Sequence, residues 1–548
     1  PLPTRERLFD PAQVAPPTAA NFPTDEIPLP DRWRIVENLG VNERWWDPYN
    51  QNTLKGDRPI KGTKDWFFVA TGISDTIVEP RSFPIPVGVQ TTEDPSNDLF
   101  GDGDTFLAAQ TFIASAALIK GNTVFKPQDL EYRLTAALNI NHARVNEKRI
   151  LHVEPSKGIT RTDAFIGIQE AFVDYHIRNV SDRYDFDSVR VGIQPFSSDF
   201  RGFLFQDNQP GIRFFGNRDN NRWQYNLAAF MRLEKETNSG LNAILQTPRR
   251  DALFLANLYR QDFPLPGLTS QVTAIYNINR EGSHTEIDTN GFPVRPALIG
   301  NLRGRDYDVV YLGYNADGRV GRFNLTASTY LALGQDRDNI FTNRSASIRA
   351  GFAAAELSYD YNWMRFRLSG LYASGDGDPY DDTQTGFDAI FENPQFAGAD
   401  TSYWIRQNIP FIGGGRAIGV SGRNGILNSL RSSKEQGQSN FANPGTILLG
   451  AGADFDVLPE LRLSVNANAL RFDKTAVLEV LRVQGDIDKS IGLDLSASAI
   501  YRPKFTQNIV LRGSVASIEP GGGFDDLFEN NERKNRYLSV LLNATLTY

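Results

Sequence analysis

Alternation of apolar and polar side chains recurs along the chain in runs of about nine to thirteen residues. The carboxy-terminal run is the clearest. Leu538, Val540, Leu542, Ala544, Leu546 and Tyr548 share one parity, and Tyr537, Ser539, Leu541, Asn543, Thr545 and Thr547 share the other. A period of two means a strand with one apolar and one mainly polar face. In 131–141, Tyr132, Leu134, Ala136, Leu138 and Ile140 alternate with Arg133, Thr135, Ala137, Asn139 and Asn141, and 222–234, 322–333, 461–469 and 491–502 repeat the pattern. Soluble strands are usually about 5–6 residues long. A tilted strand that crosses a bilayer needs about 9–11. These runs have the longer measure.

The pattern predicts strands near 65–74, 105–120, 131–145, 163–178, 185–196, 209–217, 222–235, 252–261 and 268–280. A second half follows at 306–316, 322–334, 346–361, 364–375, 444–456, 461–472, 489–502, 508–518 and 536–548. The alternation is least regular at 209–217 and 306–316. Eighteen strands leave connections that sort by length, short at one end (179–184, 218–221, 317–321, 362–363) and mostly long at the other (75–104, 236–251, 281–305, 376–443). Short turns on one side and long loops on the other characterise outer-membrane barrels, whose short turns are periplasmic. In hydrocarbon every backbone N–H and C=O needs a partner, so a β structure there must close on itself. The expectation is an all-β, transmembrane, antiparallel barrel over 65–548, about 18 strands, preceded by a Pro-rich N-terminal extension, 1–64. An even strand count returns both termini to the periplasm. A chain starting at Pro1 reads as already processed.

Composition narrows the classes further. The 548 residues contain no cysteine, which excludes thiol nucleophiles, disulfide scaffolds and covalent haem attachment by this chain. No apolar run approaches the roughly 18 residues of a spanning helix. A net charge of -8 gives no reason to expect nucleic acid as a partner. His152 and His284 fall on long loops and His142 and His176 at strand ends, none within a Ser or Asp motif, so no enzyme and no cofactor are expected. The runs Gly101-Asp102-Gly103-Asp104 and Gly375-Asp376-Gly377-Asp378 read as polar turns or as calcium ligands without EF-hand spacing.

Net charge hides a local excess. The polar parity carries Arg133, Arg190, Arg232, Arg322, Arg365, Arg367, Arg462, Arg502 and Arg512, against Glu234, Asp494 and Asp308. Arginine on a lipid face costs about 2–4 kcal/mol at mid-membrane, so these are pore-lining candidates. Rings of Arg favour anions, while the same set could instead pair with plug and loop carboxylates. Two segments could fill the lumen. The first is 1–64, with a short helix expected at 32–39 and aromatics at 44–49, read either as a periplasmic tail or as a plug. The second is 376–443, carrying Trp404, Arg406, Arg416, Arg423 and Arg431, read as infolded or as an external cap. Tyr548 sits where an aromatic girdle meets the interface and resembles the signal read by barrel assembly machinery.

Ile491-Gly492-Leu493-Asp494-Leu495-Ser496, Tyr501-Arg502-Pro503 and Ile518-Glu519-Pro520-Gly521 resemble the carboxy-terminal pattern of the outer-membrane alginate export family, over roughly the last 60 residues. That resemblance implies an 18-stranded barrel with an Arg-rich lumen passing an anionic polysaccharide. The leading expectation is a Gram-negative outer-membrane porin for small, anionic solutes or oligosaccharides, surrounded by outer-membrane lipids. The alternatives are polysaccharide export, or a structural sheath or anchor for a lipoprotein or a separate multihaem cytochrome.

Overall fold

The computed structural model describes residues 40, 43–49, 52–82, 84–85, 100–121, 127–183, 185–295, 304–406, 409–410, 417–418, 437–528 and 537–548. Eighteen strands form the wall. They are β1 Trp66–Ser82, β2 Asp104–Lys120, β3 Leu130–Val145, β4 Thr160–Asn179, β5 Phe186–Ser197, β6 Gln206–Arg218, β7 Trp223–Met231, β8 Asp251–Arg260 and β9 Leu268–Arg280. The circuit continues with β10 Asp306–Val320, β11 Phe323–Asp336, β12 Ala346–Tyr361, β13 Met364–Ala373, β14 Thr446–Leu458, β15 Leu461–Arg471, β16 Ser490–Tyr501, β17 Ile509–Pro520 and β18 Leu538–Thr547. Each pairs antiparallel with its sequence neighbour, and β18 returns to β1 through Ile73↔Thr547 and Val78↔Leu542. The sheet is closed, so every wall strand has a partner on both sides.

All eighteen predicted strands exist, most within two or three residues of the expected bounds. The largest difference is β1, which runs on to Ser82 because Asp75 and Glu79 face inward and are compatible with the polar parity. Strand β7 stops at Met231, four residues early. The apolar parity faces outward, with Leu134, Ile166, Leu227, Val272, Leu331, Leu449 and Leu542 all exposed. In β4 a bulge at Gln169 separates Thr135↔Glu170 from Ala136↔Ile168 and swaps parity. Ile166 and Ile168 therefore face out below the bulge number, and Val173 and Tyr175 above it.

The inward faces divide by height. Near the short-turn end they are polar. Toward the long-loop end part of the wall turns apolar, as in Tyr307, Val309 and Tyr311 of β10, Tyr330 of β11 and Phe352 of β12. These residues meet two segments that fold into the barrel. One is the hairpin end 198–205, and the other is the described part of the long loop, including Phe387, Ile390, Phe391, Phe396, Tyr403, Trp404 and Phe441, all 7% exposed or less. A buried aromatic or aliphatic side chain of this size gains about 1.5–3 kcal/mol, so these contacts hold the loop inward. The long loop is infolded over 383–405. Arg416, Arg423 and Arg431, and the helix expected at 32–39, lie outside the described residues.

The wall is not uniformly β-paired. Strand β4 continues to Thr160, yet its pairing with β5 ends at Ala171↔Ile193. Beyond that point the β5–β6 hairpin bends inward at Gly192, whose φ is 126° and where a Cβ would meet the Ala171 carbonyl oxygen at 2.1 Å. The notch is filled by 233–243. There Asn242 Nδ2 donates to the carbonyl oxygens of Ile168 (3.3 Å) and Asn208 (3.0 Å), and Lys235 Nζ donates to Asp207 Oδ1 (2.8 Å) and Asn242 Oδ1 (2.6 Å). A carboxamide and a buried ion pair replace the missing strand.

Candidate solute pathway

The infolded segments are pinned to the wall by carboxylates. Asp199 accepts the backbone N–H groups of Arg201 (3.0 Å), Phe203 (3.0 Å) and Leu204 (3.1 Å), and the Tyr330 hydroxyl (3.0 Å). Asp494 on β16 accepts from the N–H of Tyr403 and of Trp404, both at 3.0 Å, and from the Ser402 hydroxyl. These amides open the short helix α1, Tyr403–Arg406, and amides at a helix start are natural carboxylate partners. The two segments also pair with each other through Ile390 N and Phe391 N to Leu204 O, and Gln206 N to Phe391 O.

Below them, four neighbouring strands carry a ladder of arginine and phenylalanine on the inner face. Arg133 (β3) and Arg190 (β5) lie 5.7 and 4.3 Å from the ring of Phe172 (β4). Arg190 and Arg213 (β6) lie 5.7 and 4.5 Å from Phe215, and Arg213 lies 5.4 Å from Phe196 on the inturned hairpin. Rings at this distance stabilise a guanidinium without neutralising it. Arg133 is paired with Glu131 at 2.7 Å and Arg190 with Asp174 at 2.7 Å. Arg213 is different. Its Nε donates to the Asn226 carboxamide at 2.7 Å, and among the described residues it forms no ion pair.

The other predicted arginines fall into four groups. Arg365, Arg367 and Arg462 face inward but are paired, with Asp360 (2.6 Å), Asp454 (3.0 Å) and Asp456 (2.7 Å). Arg512 reaches Asp400 of the infolded loop at 2.9 Å. Arg232 is buried against Phe391 and bound to Asp251 at 3.0 Å, sealed off by that loop. Arg322 and Arg502 lie beyond the ends of their strands, at the short-turn rim, and Arg322 donates to the Tyr359 hydroxyl. Asp308 faces outward, where Arg280 and Arg337 hold it, because β10 presents Tyr307 and Val309 inward instead. Arg213 escaped the sequence reading because its strand has Ile212 and Phe214 on one parity and Phe215 on the other, which blurs the alternation.

Above the ladder, at the long-loop end, lies a buried charge cluster. Arg249 meets Glu281 at 2.8 Å, and Arg295 meets Glu234, Glu281 (3.2 Å) and Glu286 (3.1 Å). Burial alone pushes the Glu281 carboxyl up, but Arg249 and Arg295 outweigh it and hold it at about 2. Glu234, Glu281 and His284 present ligand atoms within 4.8 Å of one another. Arg249 and Arg295 already supply the countercharge a cation would bring. In the Gly-Asp run at 101–104, Asp102 accepts from Asp104 N (2.9 Å) and Asn146 Nδ2 (2.9 Å), the bonding of a polar turn.

No family model matches this chain, and no curated protein matches it. Solved structures that resemble it include OccK9 (OpdG) of Pseudomonas aeruginosa, at 12% identity and a TM-score of 0.47, covering 88% of this chain and 98% of that one. A BenF-like porin from Pseudomonas fluorescens Pf-5 gives 11% identity, a TM-score of 0.47 and coverage of 88% and 98%. OccK2 (OpdF) of Pseudomonas aeruginosa in complex with glucuronate gives 12%, 0.44, and coverage of 88% and 96%.

Proposed function

We propose that this chain is an outer-membrane porin of a Gram-negative bacterium, with both termini periplasmic, that passes small anionic solutes. The closed wall with its exposed aliphatic belt suits a bilayer, and the sorted connections suit an outer-membrane orientation with the short turns inside. The observation that carries the solute class is Arg213, a lumenal guanidinium on the last strand of the ladder, bonded to a carboxamide and, among the described residues, not ion-paired. Arginines already neutralised by a neighbour select weakly, whereas an unpaired one in a confined, low-dielectric passage raises local anion concentration. The infolded segments cross the lumen above the ladder. They favour small solutes over the polysaccharide that the carboxy-terminal resemblance implies, and they take the space that a threaded partner protein would need.

Single-channel recording of the purified protein in a salt gradient tests this. The expected reversal potential is anion-favouring, and Arg213→Gln brings it toward zero without changing heat-modifiable folding. A cation-favouring or non-conducting wild type overturns the reading.

A further inference from the structure

The lumenal arginines are mostly paired, but the outward face carries arginines that are not. Arg144 (β3), Arg250 (just before β8), Arg349 (β12) and Arg471 (β15) all lie at the long-loop rim on the outward parity, and all are exposed. Among the described residues none of the four forms an ion pair or side-chain hydrogen bond. The rim can satisfy an arginine when carboxylates are near, since Arg280 and Arg337 share Asp308 at 2.5 and 2.6 Å on the same outward face.

Each unpaired arginine stands at the upper edge of the apolar belt. Arg144 lies opposite Phe106, and Arg349 opposite Leu333. Arg471 lies opposite Ile447, with exposed Leu449 one row below. Arg250 is two residues from Ala252, which faces Met231, and the same loop presents Ile244 and a 99%-exposed Leu245. A guanidinium one row above hydrocarbon-facing side chains sits at headgroup height, with its stem along the acyl boundary. Guanidinium is the side chain that best matches phosphate, through paired N–H donors.

We propose that Arg144, Arg250, Arg349 and Arg471 bind the phosphate groups of a phosphorylated glycolipid of the lipid A class in the surrounding outer leaflet. The proposal rests on the outer-membrane reading but not on solute selectivity. Continuity with the lipid-facing belt fixes the ligand as a lipid. The lack of an ion pair among the described residues at any of the four, even with Asp104 and Asp473 nearby on the rim, leaves their charges for its phosphates. The four positions are spread around the barrel, so they act as separate contacts holding an annulus of lipid.

The test uses full-length protein in phosphatidylcholine vesicles containing a small fraction of bisphosphorylated lipid A. EDTA is present so that Asp104 and Glu519 on the same rim cannot recruit phosphate through a bridging cation. Lipid retained after detergent extraction is measured by mass spectrometry. Wild type should enrich lipid A at least tenfold over phosphatidylcholine. The quadruple Arg→Gln variant should lose most of that enrichment, and the quadruple Arg→Lys variant should keep part of it. Dephosphorylated lipid A should not be enriched, and excess inorganic phosphate should not displace the bound lipid. Equal enrichment in wild type and the Gln variant, or equal enrichment of the dephosphorylated lipid, overturns the proposal. Displacement by inorganic phosphate also overturns it, because it would indicate a free-anion site. If the quadruple variant does not fold, Arg349→Gln and Arg471→Gln singly must each lower enrichment. Conductance on the same samples reports on the pore reading independently.

Discussion

Asn52 Nδ2 donates to the Tyr548 hydroxyl over 2.8 Å, tying the last wall strand to the segment that precedes the first. The Tyr548 hydroxyl in turn donates to the Trp45 carbonyl, and Lys55 Nζ lies 4.4 Å above the ring. The short strand Lys55–Pro59 then continues along the edge of β1, past the end of β18. The ring and the hydroxyl of Tyr548 have separable effects. Tyr548→Asp should sharply reduce membrane-inserted, heat-modifiable protein, because it puts a charge at the aromatic girdle. Tyr548→Phe should insert normally and lose only about 1 kcal/mol of terminal anchoring, read as faster hydrogen exchange over 52–59. Equal insertion of both variants would sink the signal role. Tyr537 is no neutral control, since its ring is buried 4.8 Å from that of Phe524.

Neutralising Arg213 should shift the reversal potential more than neutralising Arg365. The charge of Arg365 is already opposed by Asp360 at 2.6 Å, whereas Arg213 has only a carboxamide. The difference should grow at low salt, where screening is weak. Matching shifts from Arg213→Gln and Arg365→Gln would refute this ordering.

Two loop carboxyls should titrate in opposite senses. Glu281 is held at about 2, below its unfolded value of roughly 4.3. It therefore adds stability that is present above that value and lost as pH falls toward 2. Asp376 is pushed up to about 6, mainly by burial and then by Asp381. Its ionisation costs stability as pH rises from roughly 4 through 6. Asp376→Asn should thus stabilise the base of the long loop by about 1–3 kcal/mol at pH 7.5 and by little at pH 4. Glu281→Gln should destabilise its cluster by about 3 kcal/mol at pH 7. Hydrogen exchange across the two loops at both pH values checks the signs.

Asn242→Ala removes the donors that satisfy the Ile168 and Asn208 carbonyls and one hydrogen-bond acceptor of Lys235. A loss of about 1–3 kcal/mol is expected, seen as faster amide exchange in 233–243 and the adjoining edge of β4. Unchanged protection there would mean that packing alone closes the notch.

A cysteine-free chain gives clean single-cysteine labelling. Tyr380, 55% exposed, should label from outside intact cells when replaced by Cys, and a Cys at 459 should not. A Cys at Ala389, 6% exposed in the lumen, should resist labelling although it belongs to the same long loop as Tyr380. Labelling at 459 from outside would reverse the orientation.

The wall was legible in the sequence because a lipid-facing strand must be apolar at every second residue over its full length. Leu538 to Tyr548, and the other runs like it, could be counted without any knowledge of their neighbours. The strand number, the order and the sorting of loops all follow from that local rule. Inside the barrel no such rule applies. The inward residue of a strand can meet water, a partner arginine or an infolded loop, and its side chain must differ accordingly. Tyr307, Val309 and Tyr311 look like an interruption of the pattern at 306–316 until Phe387 and Phe441 are packed against them. Arg213 and Arg367 both face inward, but nothing in their own strands tells which is paired. Arg367 is bound to Asp454 because β13 and β14 are neighbours, whereas Arg213 lies opposite Arg190, which holds Asp174, and finds only the Asn226 carboxamide. Periodicity is a property of one strand and its solvent, but pairing and occlusion depend on which distant residues the closed barrel brings face to face.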